Sequence, residues 1–488
     1  MNIILIYPLL SKERSLVDQN KQYWPPLGLA YIAAVLEKNG HKVSIVDRDV
    51  LLHKNSLSFT KTDKDTLRII QESYADIVGF SATTPNIKDV LEQSQKIKER
   101  FSGVKIILGG PHAMGEPELT LKLSNRTIDA VCRCEGEFVM LDIANGKDLS
   151  EIDGLSFISN GKIIHNPDKM LIPDIDFLPF PARHLLDMEF YSRPSRFTSR
   201  NLNLKTTSIF TARGCPFRCN FCAGPLVFGG KVRFHSSQRV IDEILHIISQ
   251  YSIEALYFAE DMFLSDKRRA YEILSLFQRY KIHKKIKWIA QVRVNAVDEE
   301  LLKLMRATGC VGVEYGFESG SQRILDKMNK KTTVEDNFAA AKLTEKAGLR
   351  YQANIIVGYP EETKKDFEET ISFLKNIKPS NIGFNIFMAL PGTPEYIRLK
   401  TEGSISYDWE NVGNPEGSKT NYTAMSNIEF QKMYAKAKLK IILPLNLRNF
   451  VRENIRNPFR LMYLIFTQFK GVVIRLFRSD LRVLLRSN

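Results

Sequence analysis

The sequence is poor in cysteine and has no long hydrophobic run. It has six cysteines among 488 residues, and three of them, Cys215, Cys219 and Cys222, lie close together. A secreted domain held by disulfides would have many cysteines spread along the chain. The apolar stretch at the N-terminus is too short for a signal peptide and follows no basic leader, and no apolar run reaches the roughly 20 residues that span a bilayer. These absences predict a cytoplasmic protein with reduced cysteines.

The composition is that of an ordinary globular protein, with 44% hydrophobic and 25% charged residues. It excludes a disordered or fibrous chain, and the length suits about three domains. Lys and Arg (69) exceed Asp and Glu (55), so the formal net charge is +14. An excess of this size is typical of proteins that bind nucleic acid, an anionic membrane or phosphorylated substrates.

The first 140 residues alternate short apolar runs with amphipathic helical segments. This pattern predicts a doubly wound parallel α/β domain. We expect helices over 27–39 and 87–101, ended by Gly40 and Gly103. The predicted strands are 3–7, 42–47, 76–82, 105–108 and 130–134.

Residues 141–204 lose this alternation and are rich in proline, so we interpret them as a linker with a hairpin at Asn160-Gly161. A second alternation over 205–395 predicts a partial (β/α)6 TIM-type barrel, whose functional residues would lie at the carboxyl ends of its strands. The six predicted strands are 207–211, 255–259, 287–292, 311–317, 352–357 and 382–388.

The remaining region, 396–488, is predicted to be helical, and its end is basic. Residues 445–488 contain nine Lys or Arg and two acidic residues, interleaved with aromatic and aliphatic side chains. Basic residues beside an apolar face suit a helix at a membrane interface. A helix that packs on the barrel with a solvated basic face is the alternative.

The sequence Ala212-Arg213-Gly214-Cys215-Pro216-Phe217-Arg218-Cys219-Asn220-Phe221-Cys222 follows the first predicted barrel strand. Three thiolates at this spacing can bind a 4Fe-4S cluster, which normally takes four cysteines, so one iron is left for another ligand. We expect Gly214 to allow the turn, and Arg213 and Arg218 to favour the thiolates. Zinc would need a fourth ligand such as a distant His or Cys310.

This motif, at the start of a six-unit βα barrel, resembles the radical S-adenosylmethionine (SAM) superfamily. The ends of the later predicted strands are similar to that superfamily as well. The resemblance implies that SAM binds the open iron and is cleaved reductively. An ion pair between Glu318 and Arg293 is the structural alternative for those two residues. The SAM-binding residues that the resemblance implies are Phe221, Glu260, Arg293, Glu318, Ser319, Gly358, Tyr359 and Pro360.

Four segments of the N-terminal domain carry a second resemblance: 23–31, 78–84, 109–112 and 134–137. They are similar to the cobalamin-binding domain fused to many radical SAM enzymes. A plain nucleotide-binding domain is the alternative, but G-x-G-x-x-G is missing after the first strand. The D-x-H-x-x-G signature is also absent, so we expect no histidine below the cobalt. Cys132, Cys134 and Cys310 are expected to be structural thiols, with Cys310 at a helix end. The implied cobalamin-binding residues are Pro26, Gly28, Ser81, Thr83, Thr84, Gly109, Gly110, His112 and Glu135.

The combined resemblance implies an enzyme that methylates an unactivated carbon or phosphorus centre. Radical cyclisation, ring contraction or oxidation without methyl transfer is the alternative, and a non-catalytic cobalamin or redox sensor is a second one. We expect a small-molecule or lipid-like substrate and a flavodoxin- or ferredoxin-type electron donor. Nucleic acid is not expected, because the aromatic residues near the basic C-terminus group with aliphatic residues on one face.

Overall fold

A computed structural model describes residues 1–10, 23–194, 204–405 and 420–454 of the chain. Most of the basic C-terminal region lies outside these described residues. Among the helices of the described ranges, none has both the length and the apolar character needed to cross a bilayer.

The N-terminal sheet has seven strands in the order β2-β1-β3-β4-β5-β6-β7. The first five strands in the chain are parallel to one another, which confirms the predicted doubly wound fold. From β1 the chain adds β2 on one side and then β3 and β4 on the other side of β1. Sheets with this order bind ligands at the point between β1 and β3 where the order of addition reverses. The strands are β1 (Asn2–Tyr7), β2 (Lys42–Asp47), β3 (Ile77–Ser81), β4 (Lys105–Gly109), β5 (Ala130–Cys132), β6 (Leu155–Ser159) and β7 (Lys162–His165).

Helices cover both faces of this sheet. Ile3 and Leu5 belong to one hydrophobic cluster, whereas Ile4 and Ile6 belong to another on the opposite face, because successive side chains of a strand alternate in direction. The helices are α1 (Leu27–Lys38), α2 (Arg48–Lys54), α3 (Phe59–Glu72), α4 (Ile87–Arg100), α5 (Pro111–Gly115), α6 (Pro117–Leu123), α7 (Gly136–Ala144) and α8 (Met188–Tyr191).

The predicted hairpin is present as β6 and β7, with Asn160 at φ 49° and Gly161 at φ 77°. Both positive values suit a two-residue turn between antiparallel strands. The hairpin extends the N-terminal sheet, since β6 pairs with β5. Part of the segment interpreted as a linker therefore adds to that sheet, and the domain boundaries given above stay a prediction.

The second half of the chain forms a six-stranded parallel sheet in the order β15-β14-β13-β12-β11-β8. Each strand of the predicted partial barrel is present. A short ribbon of β9 and β10, which the sequence did not predict, joins the ends of a loop over 214–232. The strands are β8 (Thr206–Ile209), β9 (Ala212–Arg213), β10 (Arg233–Phe234), β11 (Ala255–Phe258), β12 (Lys287–Val292), β13 (Cys310–Glu318), β14 (Arg350–Val357) and β15 (Asn381–Ile386).

Helices cover the outer face of the barrel around a core centred on Trp288, whose indole N–H donates to Thr308 O at 2.8 Å. The helices of this half are α9 (Gly224–Phe228), α10 (Ser237–Gln250), α11 (Lys267–Arg279), α12 (Ile282–Lys285), α13 (Glu299–Ala307), α14 (Gln322–Lys327), α15 (Val334–Lys346), α16 (Lys364–Lys375), α17 (Pro394–Thr401), α18 (Asn427–Ala437), a π-helix (Lys438–Ile442) and α19 (Leu443–Asn454).

Two details of the sequence prediction are wrong. Gly40 ends its helix with φ +82°, but Gly103 does not take a left-handed conformation, because α4 has already ended and Phe101 N donates to Ile97 O. Cys310 begins β13 instead of ending a helix.

The described start of the basic region packs on the barrel. Asn446 in α19 accepts a hydrogen bond from Ile382 N and donates one to Ile382 O. For residues 445–448 this agrees with the alternative of a helix packed on the barrel. The rest of the predicted membrane-binding segment, 455–488, lies outside the described residues.

Candidate active site between the two sheets

Cys215, Cys219 and Cys222 lie in the loop over 214–232, which we call the cluster loop. Gly214, at its start, has φ +101°, and a methyl group there would overlap Lys231 O. Cys219 is buried and the other two cysteines are half-buried, and all three are free thiols. The sequence therefore folds into a tight turn that presents three thiols near the end of the first barrel strand.

The tip of the cluster loop is tied to the barrel by backbone and amide hydrogen bonds. Asn220 N donates to Met328 O at 2.9 Å, and its side chain donates to Lys327 O at 2.8 Å. Asn329 Nδ2 donates to Arg218 O at 2.7 Å. These bonds hold the loop against the C-terminal end of α14.

Burial raises the pKa of Cys215 and raises that of Cys222 to about 11, and the neighbouring Asp261 carboxylate adds to both shifts. Arg293 acts in the opposite direction on Cys215. The predicted effect of Arg213 is wrong, because its guanidinium binds Glu135 and Glu137 instead. A bound iron cluster would supply the positive charge that deprotonates these thiols.

The three thiols fit an iron-sulfur cluster better than a single metal ion. They lie close enough for each to influence the pKa of another. Yet no group of three or more His, Cys, Asp or Glu side chains in the described ranges could hold one metal ion. Cys310, the alternative distant zinc ligand, lies at the start of β13, at the end of the strand away from the cluster loop. Its thiol donates to Gly312 O there. A cubane, whose irons are separate ligand positions, suits this spacing.

Arg293 lies just beyond β12 beside the cluster loop and is 7% exposed. Its guanidinium carbon lies 3.6 Å from the centroid of the Phe217 ring. Among the described residues, Arg293 Nε and Nη2 have no hydrogen-bond partner. A buried guanidinium with unused donors suits the carboxylate of a bound amino-acid group, as predicted for SAM.

Glu318 pairs with Lys330, at 2.7 Å between Oε1 and Nζ, and not with Arg293. The alternative of a Glu318–Arg293 ion pair is therefore wrong. Glu318 has φ +63°, and a methyl group on Gly316 would overlap its Oε1. Sequence reasoning missed Lys330, since a lysine in a Lys-Lys pair after a helix looks solvated.

Four other predicted SAM residues lie where the cluster loop meets the turn after β14. Phe221 and Tyr359 belong to the same small hydrophobic cluster, so the cluster loop and the turn after β14 meet. Gly358, at φ +78°, donates its N–H to Glu362 Oε2 at 2.5 Å, and Pro360 follows in the same turn. Tyr359 donates to Glu395 Oε2 at 2.8 Å.

Ser319 and Glu260 have internal partners. Ser319 Oγ lies 3.0 Å from Thr370 Oγ1 and accepts from Ser321 N. Glu260 accepts from Thr211 Oγ1 at 2.6 Å and is buried, and burial raises its pKa. Ser319 therefore joins its loop to α16, whereas Glu260 joins two neighbouring strand ends. The predicted contact of both side chains with SAM is not supported by this geometry.

A polar layer crosses the inner face of the barrel. Its members, which stand next to each other in register on β12 to β15, are Gln291, Glu314, Gln352 and Asn381. Tyr257 joins it, because its hydroxyl accepts from Gln291 Nε2 at 2.6 Å and donates to Glu314 Oε2 at 3.4 Å. We call these five residues the lumen layer. Barrel interiors are usually filled by branched apolar residues, so a polar layer one step below Arg293 points to a ligand with polar groups.

At the N-terminal sheet, Ser81 is the last residue of β3 and is followed by Thr83 and Thr84, whereas Gly109 is the last residue of β4 and is followed by Gly110. Gly110 has φ +94°, and a methyl group there would lie 2.6 Å from Ala82 O. Only glycine allows these two strand ends to approach so closely. The predicted residues therefore meet at one carboxyl edge of the sheet.

Asn86, which sequence reasoning did not single out, supports a ligand at this edge. It is buried, and within the described ranges its Nδ2 has no hydrogen-bond partner. A buried amide without an acceptor is costly, and the amide side chains of cobalamin would supply acceptors. Pro26 precedes α1, and Gly28 in its first turn is exposed with open space around its Cα.

His112 lies in α5 with Nδ1 3.1 Å from Thr84 Oγ1. Burial lowers the pKa of its imidazole to about 4, so the ring is neutral at pH 7. In this geometry His112 is a buried neutral ring that hydrogen-bonds to Thr84.

Glu135, predicted to contact cobalamin, has both carboxylate oxygens occupied by partners within the chain. Its two oxygens accept hydrogen bonds from Arg213, Arg233 and Ile172 N. All of these partners lie beyond the N-terminal domain predicted over 1–140. Glu135 therefore joins this domain to the ribbon that closes the cluster loop.

Of the remaining cysteines, Cys132 and Cys310 are buried, as expected for structural thiols, whereas Cys134 is only half-buried. The Sγ atoms of Cys132 and Cys134 lie 3.8 Å apart.

Comparison with known proteins agrees with this geometry. Residues 14–144 match the B12 binding domain, and residues 209–374 match the Radical SAM superfamily. The chain is 35% identical over 373 residues to the uncharacterized methyltransferase PH0819 of Pyrococcus horikoshii, covering 76% of this chain and 77% of that protein. It is 29% identical to the cytidylyl-2-hydroxyethylphosphonate methyltransferase of Streptomyces wedmorensis, covering 69% of each.

Another relative is the anaerobic magnesium-protoporphyrin IX monomethyl ester cyclase of Rubrivivax gelatinosus. It is 27% identical, and the match covers 84% of this chain and 72% of that protein. Among solved structures, the radical SAM methyltransferase TsrM of Kitasatospora setae superposes with a TM-score of 0.67 at 18% identity. That superposition covers 82% of this chain and 76% of TsrM.

The cluster loop on a parallel barrel defines a radical SAM enzyme. With its N-terminal sheet included, the chain belongs to the cobalamin-dependent family of radical SAM enzymes, whose cofactors are a 4Fe-4S cluster, SAM and cobalamin.

Proposed function

We propose that the protein transfers a methyl group to an unactivated carbon or phosphorus centre of a small-molecule substrate. The observation that carries this proposal is a contact between the part of the N-terminal domain that would bind cobalamin and the barrel that would bind SAM. Trp24, which precedes α1, stacks on Tyr257 of the barrel with ring centroids 4.8 Å apart. Cobalamin and SAM would thus open onto one chamber, where a substrate can lie between them.

When bound, the cluster supplies the electron that cleaves SAM, and cobalamin carries the methyl group. The residues of the chain bind and orient. Cys215, Cys219 and Cys222 would hold the cluster, and Arg293 would bind the carboxylate of SAM. Lys330 pairs with Glu318 and offsets the charge of that buried carboxylate.

The lumen layer supports a substrate with polar groups. Glu314 is 8% exposed, and its carboxylate accepts a hydrogen bond from Tyr257, whose hydroxyl in turn accepts one from Gln291. A buried carboxylate in a polar layer favours a ligand with a hydrogen-bond donor, such as an ammonium or hydroxyl group, over a hydrocarbon or a phosphate. Glu314→Gln is expected to weaken substrate-stimulated SAM cleavage while the slow cleavage without substrate persists.

The reaction is tested with reconstituted holoenzyme, dithionite, SAM labelled with a trideuterated methyl group, and a small-molecule extract of cells that make the protein. We expect 5′-deoxyadenosine, S-adenosylhomocysteine and a product that carries the labelled methyl group, as measured by mass spectrometry. A Cys219→Ala control should form none of them. Deoxyadenosine accompanied by an altered but unlabelled product would contradict methyl transfer.

That last outcome would favour the second candidate, a cobalamin-assisted cyclisation or oxidation. The observation that favours it is the similarity to the cyclase of Rubrivivax gelatinosus, which extends over 84% of this chain. A sensor without turnover is the least supported function, because the proximity of the cluster loop to Arg293 and to the turn after β14 supports a SAM-binding site.

We further infer that the enzyme works in the cytoplasm with a flavodoxin- or ferredoxin-type donor, and that residues 455–488 bind an anionic membrane. The membrane contact rests on the sequence pattern alone. A chain ending at Asn454 keeps α19 on the barrel, so it should fold but no longer sediment with phosphatidylglycerol vesicles. Unchanged sedimentation of the shortened chain would contradict the proposed membrane contact.

A further inference from the structure

Glu135, Arg213 and Arg233 join the cobalamin-binding domain to the base of the cluster loop, and we call them the Glu135 clamp. Arg213 Nη1 lies 2.8 Å from Glu135 Oε1, and Arg233 Nη1 lies 2.7 Å from Glu135 Oε2. Each carboxylate oxygen thus binds a different arginine. All three side chains are at most 10% exposed.

The two arginines stand on opposite sides of the cluster loop. Arg213 in β9 and Arg233 in β10 are direct partners in the antiparallel ribbon, and the whole loop over 214–232 lies between them. Arg213 is followed at once by Gly214 and Cys215. A single carboxylate therefore holds both ends of the loop that carries the iron ligands.

Further contacts restrict the clamp to one geometry. Glu137 Oε1 lies 2.6 Å from Arg213 Nη2, so this guanidinium binds two carboxylates. Its carbon also lies 5.0 Å from the centroid of the Tyr31 ring in α1. Planar guanidinium groups bound in this way fix direction as well as distance, so a shift of Glu135 must shift the ribbon.

Glu135 itself is placed by the edge of the sheet that would bind cobalamin. It follows β5 by two residues and directly precedes α7, while Gly109 and Cys132 lie side by side on β4 and β5. Ordering of this edge by a bound corrin would act on Glu135 and, through it, on the cluster loop. The loop tip is independently fixed to the barrel through Asn220, so the clamp governs only its base.

We propose that Glu135, Arg213 and Arg233 are positioning residues that couple cobalamin binding to the retention of the iron-sulfur cluster. Bound cobalamin orders the sheet edge that carries Glu135, which keeps the ribbon closed and slows the escape of iron. Coupling between two sites is reciprocal, so the cluster also increases the affinity for cobalamin. The inference rests on the two cofactors and is independent of the reaction that follows.

The test measures the rate at which an iron chelator, bathophenanthroline disulfonate, removes iron from the reconstituted cluster. The rate is measured anaerobically with and without saturating hydroxocobalamin, and the ratio of the two rates reports the coupling. In the wild-type protein we expect cobalamin to slow iron loss on the order of fivefold or more. In Glu135→Gln the ratio should fall close to one.

Glu151→Gln serves as the matched control, since Glu151 is an exposed glutamate only 16 residues after Glu135 in the chain, and it should keep the wild-type ratio. A purely structural role of Glu135 would accelerate iron loss equally with and without cobalamin, leaving the ratio unchanged, and this result would overturn the proposal. An absence of any cobalamin effect in the wild type would overturn it too.

Arg233→Lys provides a second variant in case Glu135→Gln does not fold. It keeps the positive charge but loses the directed geometry of the guanidinium. Its ratio should lie between those of the wild type and Glu135→Gln, and a wild-type ratio would contradict the proposed coupling. A methyl-transfer assay that fails while the iron-loss ratio behaves as expected would refute the proposed reaction and leave the clamp intact.

Discussion

Among single residues, Arg293 most directly indicates a ligand, because it is a buried cation whose Nε and Nη2 lack partners in the described part of the chain. Arg293→Gln should raise the Kd for SAM about tenfold or more, since a hydrogen bond to a charged group contributes roughly 1.5–3 kcal/mol. Equilibrium dialysis of labelled SAM with the reconstituted protein measures this. Arg279→Gln, on an exposed helix end, is the control, and an equal Kd in both variants would contradict the assignment.

His112 makes stability depend on pH. Burial lowers its pKa to about 4 in the folded chain, whereas an unfolded histidine has a pKa near 6.5. The unfolded state therefore binds more protons between these values, and stability is lost as the pH falls through this window. For His112 alone, we expect the free energy of unfolding to drop by about 2 kcal/mol between pH 7 and pH 5.

Urea unfolding at the two pH values measures this loss, and His112→Gln should lose correspondingly less than the wild type. Equal losses in the two proteins would contradict the effect. His235, whose pKa is also lowered to about 4 by burial, contributes in the same direction and remains in both proteins.

At the level of an element, β13 carries a glycine beside the Glu318–Lys330 pair. A methyl group on Gly316 would overlap Glu318 Oε1 and lie 3.0 Å from Lys330 Nζ. Both atoms are the ends of flexible side chains, so Gly316→Ala should shift this pair and destabilise the fold by about 1 kcal/mol, at the low end of the cost of overpacking. We also expect it to weaken SAM binding. Gly103→Ala is the control, because a methyl group there meets nothing within 4 Å. Thermal unfolding that is alike in the two variants would argue against the strain.

Elements with a strong apolar period were predicted from the sequence, and so was the hairpin marked by Asn160-Gly161, whereas the ribbon of β9 and β10 was not. The runs that became β12 and β13 are long and buried, so their local pattern already identifies them. The ribbon of β9 and β10 has only two residues in each strand. Strands this short cannot show a hydrophobic period. The ribbon forms only because the loop between Arg213 and Arg233 brings these two residues together.

Across the whole molecule, a second joint connects the N-terminal domain to the barrel. Glu116 Oε1 accepts from Tyr396 OH and from Lys400 Nζ, each at 2.6 Å. Glu116→Gln should lower the free energy of unfolding by about 1–2 kcal/mol, less than for a fully buried pair because the Lys400 side chain is 43% exposed. Calorimetry measures the shift.

Glu118→Gln is the control for this joint, since Glu118 pairs with Lys122 on the surface at 3.7 Å with both side chains more than half exposed. Its unfolding temperature should stay near that of the wild type. A shift as large as that of Glu116→Gln would show that the joint does not stabilise the protein.

The sequence alone determined the two parallel sheets and the cluster loop, because hydrophobic period and cysteine spacing are local properties of the chain. Only the tertiary structure decided the partners of the charged groups. Glu135, predicted to contact cobalamin, binds Arg213 and Arg233 instead, and Glu318 binds Lys330 and not Arg293. Ion pairs form between residues that folding brings together from distant positions, and a buried charge takes whichever partner the packing places within reach.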